Sequence, residues 1–201
     1  LVESFRSMFK VPELKRRILF TAGILIIYRL GGHIPTPGID STALAGFFQS
    51  QAGGLLGLYD MFAGGNFSKA TIFALGIMPY ISASIILQLL QAVVPYFERL
   101  AKEGDEGRKK ITQYTRYGTV ALATVQAVGL AIFLQSLNTG SGVVVPHPGK
   151  MFMLVTVVTL VTGTVFVMWL GEQITERGIG NGISLIITIG IIARYPTDIL
   201  I

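Results

Sequence analysis

Three isoleucines, Ile77, Ile81 and Ile85, recur four residues apart within IMPYISASI, and Ile183 and Ile187 repeat the interval in GISLII. Positions i, i+4 and i+8 fall on one face of a helix. Branched apolar side chains offer no polar partner to an ion that must shed its water, so a ring of them from several helices resists ions and water. The chemistry on offer is exclusion rather than bond-making. The same spacing also suits isoleucines that face lipid or pack on a neighbouring helix, and spacing alone leaves both readings open. Gly76 and Pro79 beside the first stripe favour a cavity, because helix breakers at membrane depth accompany irregular backbone around functional space.

Groups that make and break bonds are scarce. There is no nucleophile elbow, Walker A loop or H-E-x-x-H pattern. Zero cysteines remove disulfides, a thiolate nucleophile and any cysteine-based metal site. GIGNG, Gly178 to Gly182, lacks the spacing of a dinucleotide fingerprint and follows no strand, so it reads as a tight turn. His33 and His147 lie near prolines in loops and read as solvated turn residues. Asn66-Phe67-Ser68 fits a glycosylation sequon only weakly. Arg29 is either a functional intramembrane charge or a long side chain reaching for the interface. The sequence points to no enzyme and no cofactor.

The elements that carry the stripes are membrane spans. Between Lys69 and Glu98 the chain runs 28 residues without a charge. At about 1.5 Å per helical residue, roughly 20 of them cross a ~30 Å hydrocarbon core. Mean hydropathy is +0.63, and only 13% of the 201 residues are charged, against about 25% in soluble domains. Apolar runs predict five spans, over 18–33, 70–95, 117–137, 151–171 and 183–200. The expected fold class is an all-α polytopic membrane protein. The first span is too long to be a cleavable signal peptide, is charged on its flank, and precedes IPTPGID instead of a cleavage site.

Twelve Lys and Arg residues fall in 1–17, 95–117 and 172–182, against two in 34–69 and 138–150. The positive-inside rule then puts the N-terminus in the cytoplasm and the C-terminus outside. The net charge of +5 is topological and needs no nucleic acid to explain it. A first residue Leu1 and an odd fifth span lead to the expectation of one half of a larger protein.

Three stretches lie outside the spans. LLGLYDMF, Leu55 to Phe62, is apolar between Gly53-Gly54 and Gly64-Gly65. Eight to twelve helical residues reach only ~12–18 Å, half a bilayer. The segment is either a re-entrant insert lining a pathway or a surface helix in the outer interface with Asp60 toward water. The N-terminal stretch 1–17 clusters Val2, Phe5, Met8 and Phe9 at helical spacing, as an amphipathic interfacial helix does. The basic loop 97–118 mixes six basic with four acidic residues, a composition that suits a partner protein, a helical extension of the spans or a solvated face.

Four long blocks, YRLGGHIPTPGID (28–40), FALGIMPYISASIILQLL (73–90), EGDEGRKKITQYTRYGT (103–119) and LVTGTVFVMWLGEQITERGIGNGIS (160–184), resemble the SecY family. Its members form the central subunit of the bacterial protein-conducting channel. The resemblance covers essentially the whole chain and implies the first five of the family's ten spans. It implies a pore ring at Ile77, Ile81, Ile85, Ile183 and Ile187. It implies a plug over about 55–66, including Leu55, Leu56, Leu58, Tyr59, Met61, Phe62, Gly64, Gly65 and Asn66. Arg108, Lys109, Lys110 and Arg116 would face a cytoplasmic partner, the motor ATPase SecA or the ribosome. The implied setting is the bacterial plasma membrane, with SecE and SecG subunits, signal-sequence-bearing preproteins, membrane lipid and the remaining half of SecY as partners.

Two other classes compete. Half of an inverted-repeat transporter would also suit a Gly/Pro-broken helix, but it expects a coupling carboxylate inside a span; none of the five has one, and Asp198 sits at an end. A non-transporting assembly scaffold would tolerate polar replacement of the isoleucines.

Overall fold

The computed structural model describes residues 11–50, 54–139 and 142–193. The N-terminal cluster of Val2, Phe5, Met8 and Phe9 lies outside them. Pro12 opens helix α1 (Pro12–Gly31), where a missing N–H is no loss. Then follow α2 (Ser41–Ser50), α3 (Leu55–Phe62), α4 (Met78–Val93), α5 (Pro95–Lys102), α6 (Asp105–Ser136), α7 (Lys150–Arg177) and α8 (Gly182–Ile192). The fold is helical apart from a short antiparallel ladder, β1 (Asn138–Thr139) with β2 (Gly142–Val143), between α6 and α7.

Helices α6 and α7, of 32 and 28 residues, are long and apolar enough to cross a membrane. Both outrun the predicted spans. Helix α6 already begins at Asp105, with Asp105 and Glu106 in its first turn, where acidic side chains complement the helix dipole. Most of the basic loop is therefore a helical extension of a span. Helix α1 starts earlier than position 18 and takes in Lys15, Arg16 and Arg17. Helix α8, described to Ile192, is apolar but shorter.

In the segment 70–95 the break expected around Gly76 and Pro79 takes up the whole first third. Helix begins only at Met78. Before it, Thr36 N–H donates to Ala70 O at 2.8 Å and Ile72 N–H donates to Ile34 O at 3.0 Å. This pairing draws 70–72 alongside 34–36. Ala70 and Gly76 take positive φ values of 45° and 55°, conformations outside the helical region. At the other end Val94 is extended, as a residue before proline prefers, and α5 leaves α4 at 98°.

Packing depends on small residues. Thr115, Thr119, Ala123, Ala127 and Ala131 form a buried stripe along α6, which permits close helix approach. A Cβ added to Gly163 of α7 would overlap the Ile72 carbonyl oxygen. Two apolar clusters result. One gathers Phe48, Phe67, Ala74, Ala127 and Leu160; the other gathers Tyr28, Phe73, Ile77, Val167, Leu170 and Ile186.

Candidate functional site

Two cavities lie at different levels of the bundle. The first, about 540 Å³, is lined by Ile81 and Ile85 of α4 and by Ile183 and Ile187 of α8. Polar groups complete its wall: Tyr80, Ser84, Gln88, Thr112, Arg116, Glu172, Glu176 and Asn181. Asn181 also begins α8, its Oδ1 accepting from Ile183 N–H at 3.0 Å and Ser184 N–H at 3.3 Å. That cap satisfies helix-end donors and fixes where Ile183 starts.

The structure thus brings four of the five isoleucines together. Ile77 does not line this cavity: it immediately precedes α4, is only 3% exposed, and belongs to the buried cluster against which Ile81, Ile183 and Ile187 also pack. Its backbone is in the helical region and its carbonyl accepts from Ile81 N–H at 3.1 Å, so it continues the stripe one turn deeper. Ile85, by contrast, is half-exposed at 51%.

The second cavity, about 380 Å³, is lined by Tyr28, Arg29, Gly32, His33, Gly64, Gly65, Asn66, Ser68, Lys69 and Ala193. It shares no lining residue with the first. From Ile187 to Ala193 the path along α8 is about 9 Å. Between those levels the turn after α3 meets α8, where a Cβ on Gly64 would lie 3.0 Å from Gly190 Cα. Gly64 and Gly65 have φ of 69° and 79°, left-handed values that glycine adopts without strain.

Within this turn, Asn66 is buried and its Nδ2 donates to Ala63 O at 2.7 Å and to the Tyr28 hydroxyl at 3.3 Å. Burial withdraws it from the role of glycan acceptor. Asp60 is buried too, at 1% exposure, and its Oδ1 accepts from Ser68 N–H at 2.9 Å. A surface helix with Asp60 in water is therefore not what α3 forms. Tyr59 stacks edge-on against Phe67, Met61 is half-buried and Phe62 is exposed. Leu55, Leu56 and Leu58 belong to α3, with side chains outside the described ones.

The four cations behave differently. Arg108, Lys109 and Lys110 are exposed near the start of α6, and Lys110 lies 4.0 Å from Glu103. Arg116 points into the first cavity. Its Nε and Nη2 each donate to a Glu172 carboxylate oxygen at 2.8 Å. This forked bond raises the Arg116 pKa above its ordinary value, against partial desolvation. Sequence reasoning grouped Arg116 with its basic neighbours because its partner, Glu172, lies 56 residues away. Glu172 had no local signal at all. Arg29 lines the second cavity beside Lys69, and His33 Nδ1–H donates to Arg29 O at 2.8 Å, closing the end of α1.

A model of the SecY family matches residues 71–201. This chain belongs to the SecY family. Among curated SecY translocase subunits it is 57% identical over 184 residues to that of Buchnera aphidicola subsp. Acyrthosiphon kondoi, covering 92% of this chain and 51% of the relative. It is 56% identical to the Escherichia coli K12 subunit, covering 93% and 42%, and 49% identical to that of Aquifex aeolicus VF5, covering 98% and 47%. The chain spans about half the length of the SecY relatives it matches. Its fold is that of a solved protein-conducting channel, with TM-score 0.61 at 18% identity over 93% of this chain and 40% of that one. Sec61 in the canine ribosome–channel complex follows at 0.55 and 19%, over the same shares.

Proposed function

We propose that this chain forms one half of a protein-conducting channel that passes unfolded secretory polypeptides and releases hydrophobic segments into the bilayer. The observation that carries the reading is the gathering of Ile81, Ile85, Ile183 and Ile187 on one cavity wall, with a glycine-rich turn pressed on α8 between that cavity and the next. Apolar branched side chains yield around a moving chain yet give a dehydrating ion nothing to bind. The α3 helix and its turn serve as the plug. Helix α4 forms part of the lateral gate, its opposite wall supplied by the remaining half of SecY. A hydrophobic segment then leaves the pore by its own transfer free energy.

The protein conducts polypeptide and makes or breaks no bond itself. It sits in the bacterial plasma membrane with Arg108, Lys109 and Lys110 on the cytoplasmic side, facing SecA or the ribosome. SecE and SecG complete the channel. Ile77, one turn before Ile81 and in the cluster that Ile183 and Ile187 also pack against, is the buried member of the ring.

The test is conductance of the assembled full-length channel carrying Ile81→Gly or Ile81→Ser. Ion leak rises and weak signal sequences are accepted. Unchanged conductance, both closed and open, overturns the reading.

A further inference from the structure

The two halves of the isoleucine wall sit on helices that share an apolar cluster but are each mounted on a different long helix. Helix α4, with Ile81 and Ile85, packs on α6, and α8, with Ile183 and Ile187, packs on α7; α4 and α8 share no extensive contact. The two isoleucine faces are joined through the apolar cluster that Ile81, Ile183 and Ile187 pack against, and through the α6–α7 pair on which α4 and α8 are mounted.

At the level of the cavity, one tie between α6 and α7 is the forked Arg116–Glu172 bond. The buried stripe of α6 passes this level at Thr115 and continues through Thr119 to Ala131, so the forked bond adds a directional tie beside small-residue packing. Glu172 is largely enclosed, with a side chain 13% exposed, while Arg116 remains 47% exposed. Two parallel bonds between planar groups fix orientation as well as distance. A lysine would supply only a point charge.

Each partner adjoins the seat of one isoleucine helix. Gly118, two residues after Arg116, receives Ala83, which lies between Ile81 and Ile85; a Cβ there would be 3.5 Å from Ala83 Cβ. Gly171, immediately before Glu172, lies under Ile183, whose Cδ1 a Cβ would overlap. A shift of α6 relative to α7 at this level moves both seats.

We propose that Arg116 and Glu172 are positioning residues for the pore ring, whose forked bond sets the width between the Ile81–Ile85 and Ile183–Ile187 faces. The inference rests on the reading of that wall as the channel's constriction.

These 201 residues hold no cysteine, so with any cysteine elsewhere in the full-length, assembled channel replaced, introduced ones allow a direct measurement. Spin labels on Ser84→Cys and Ser184→Cys, one on each side of the cavity, report the width. Arg116→Ala and Glu172→Ala each lengthen and broaden the interspin distance and raise resting ion leak several-fold. The exchange Arg116→Glu with Glu172→Arg restores both. If Arg116→Ala fails to accumulate, Arg116→Lys takes its place and shows the same shift at smaller size. A lower melting temperature with unchanged distance and leak overturns the proposal, and so does a widening that the exchange does not reverse. Ile81→Gly runs in parallel. Leak from Ile81→Gly without leak from Arg116→Ala sinks the positioning role and leaves the ring standing; no leak from Ile81→Gly sinks the ring itself.

Discussion

Gly64 concentrates two requirements in one residue. Its φ is 69°, and the hydrogen in place of its Cβ faces Gly190 of α8. Alanine there meets a left-handed backbone cost of about 1–2 kcal/mol and a neighbour that is backbone and cannot rotate away. Gly64→Ala is expected to lower the melting temperature of the full-length protein and loosen the proposed plug, read as increased resting leak. A variant with unchanged melting and leak contradicts the close approach. Glycine pairs flanking a short apolar run announced this turn in the sequence. Nothing local announced what the turn would press against, since Gly190 lies far along the chain.

At the scale of elements, α6 and α7 were legible because length and hydropathy dominate there. The stretch 70–77 was not. Its apolar composition fits a helix, but two of its backbone hydrogen bonds join it to 34–36 while others close local turns, a pairing that no window along the chain reveals. Gly76 and Pro79 marked the break without fixing its side. The same distance effect hid Glu172 and turned Arg116 inward. Gly163 tests this arrangement, because a Cβ there meets the Ile72 carbonyl, part of the paired segment. Gly163→Ala should destabilise by about 1–3 kcal/mol or more, the range for overpacking, measured as loss of thermal stability in detergent. Tolerance without a stability change means that 70–77 does not sit against α7 as described.

For the whole molecule, the charge asymmetry of twelve Lys and Arg against two sets a topology that single cysteines can report. Arg108→Cys is expected to react with a membrane-impermeant thiol reagent only from the cytoplasmic side, and His147→Cys only from the opposite side. Labelling of both from one side contradicts the odd number of crossings between them.

Conduction itself is most directly tested by the path of the substrate. A preprotein carrying one cysteine is stalled in the full-length channel bearing Ile81→Cys, with Val125→Cys, on an exposed face of α6, as the control. The account predicts a disulfide at position 81 and little or none at 125. Equal crosslinking at both, or none at 81 under proven stalling, would mean that the isoleucines only pack and that the polypeptide takes another route.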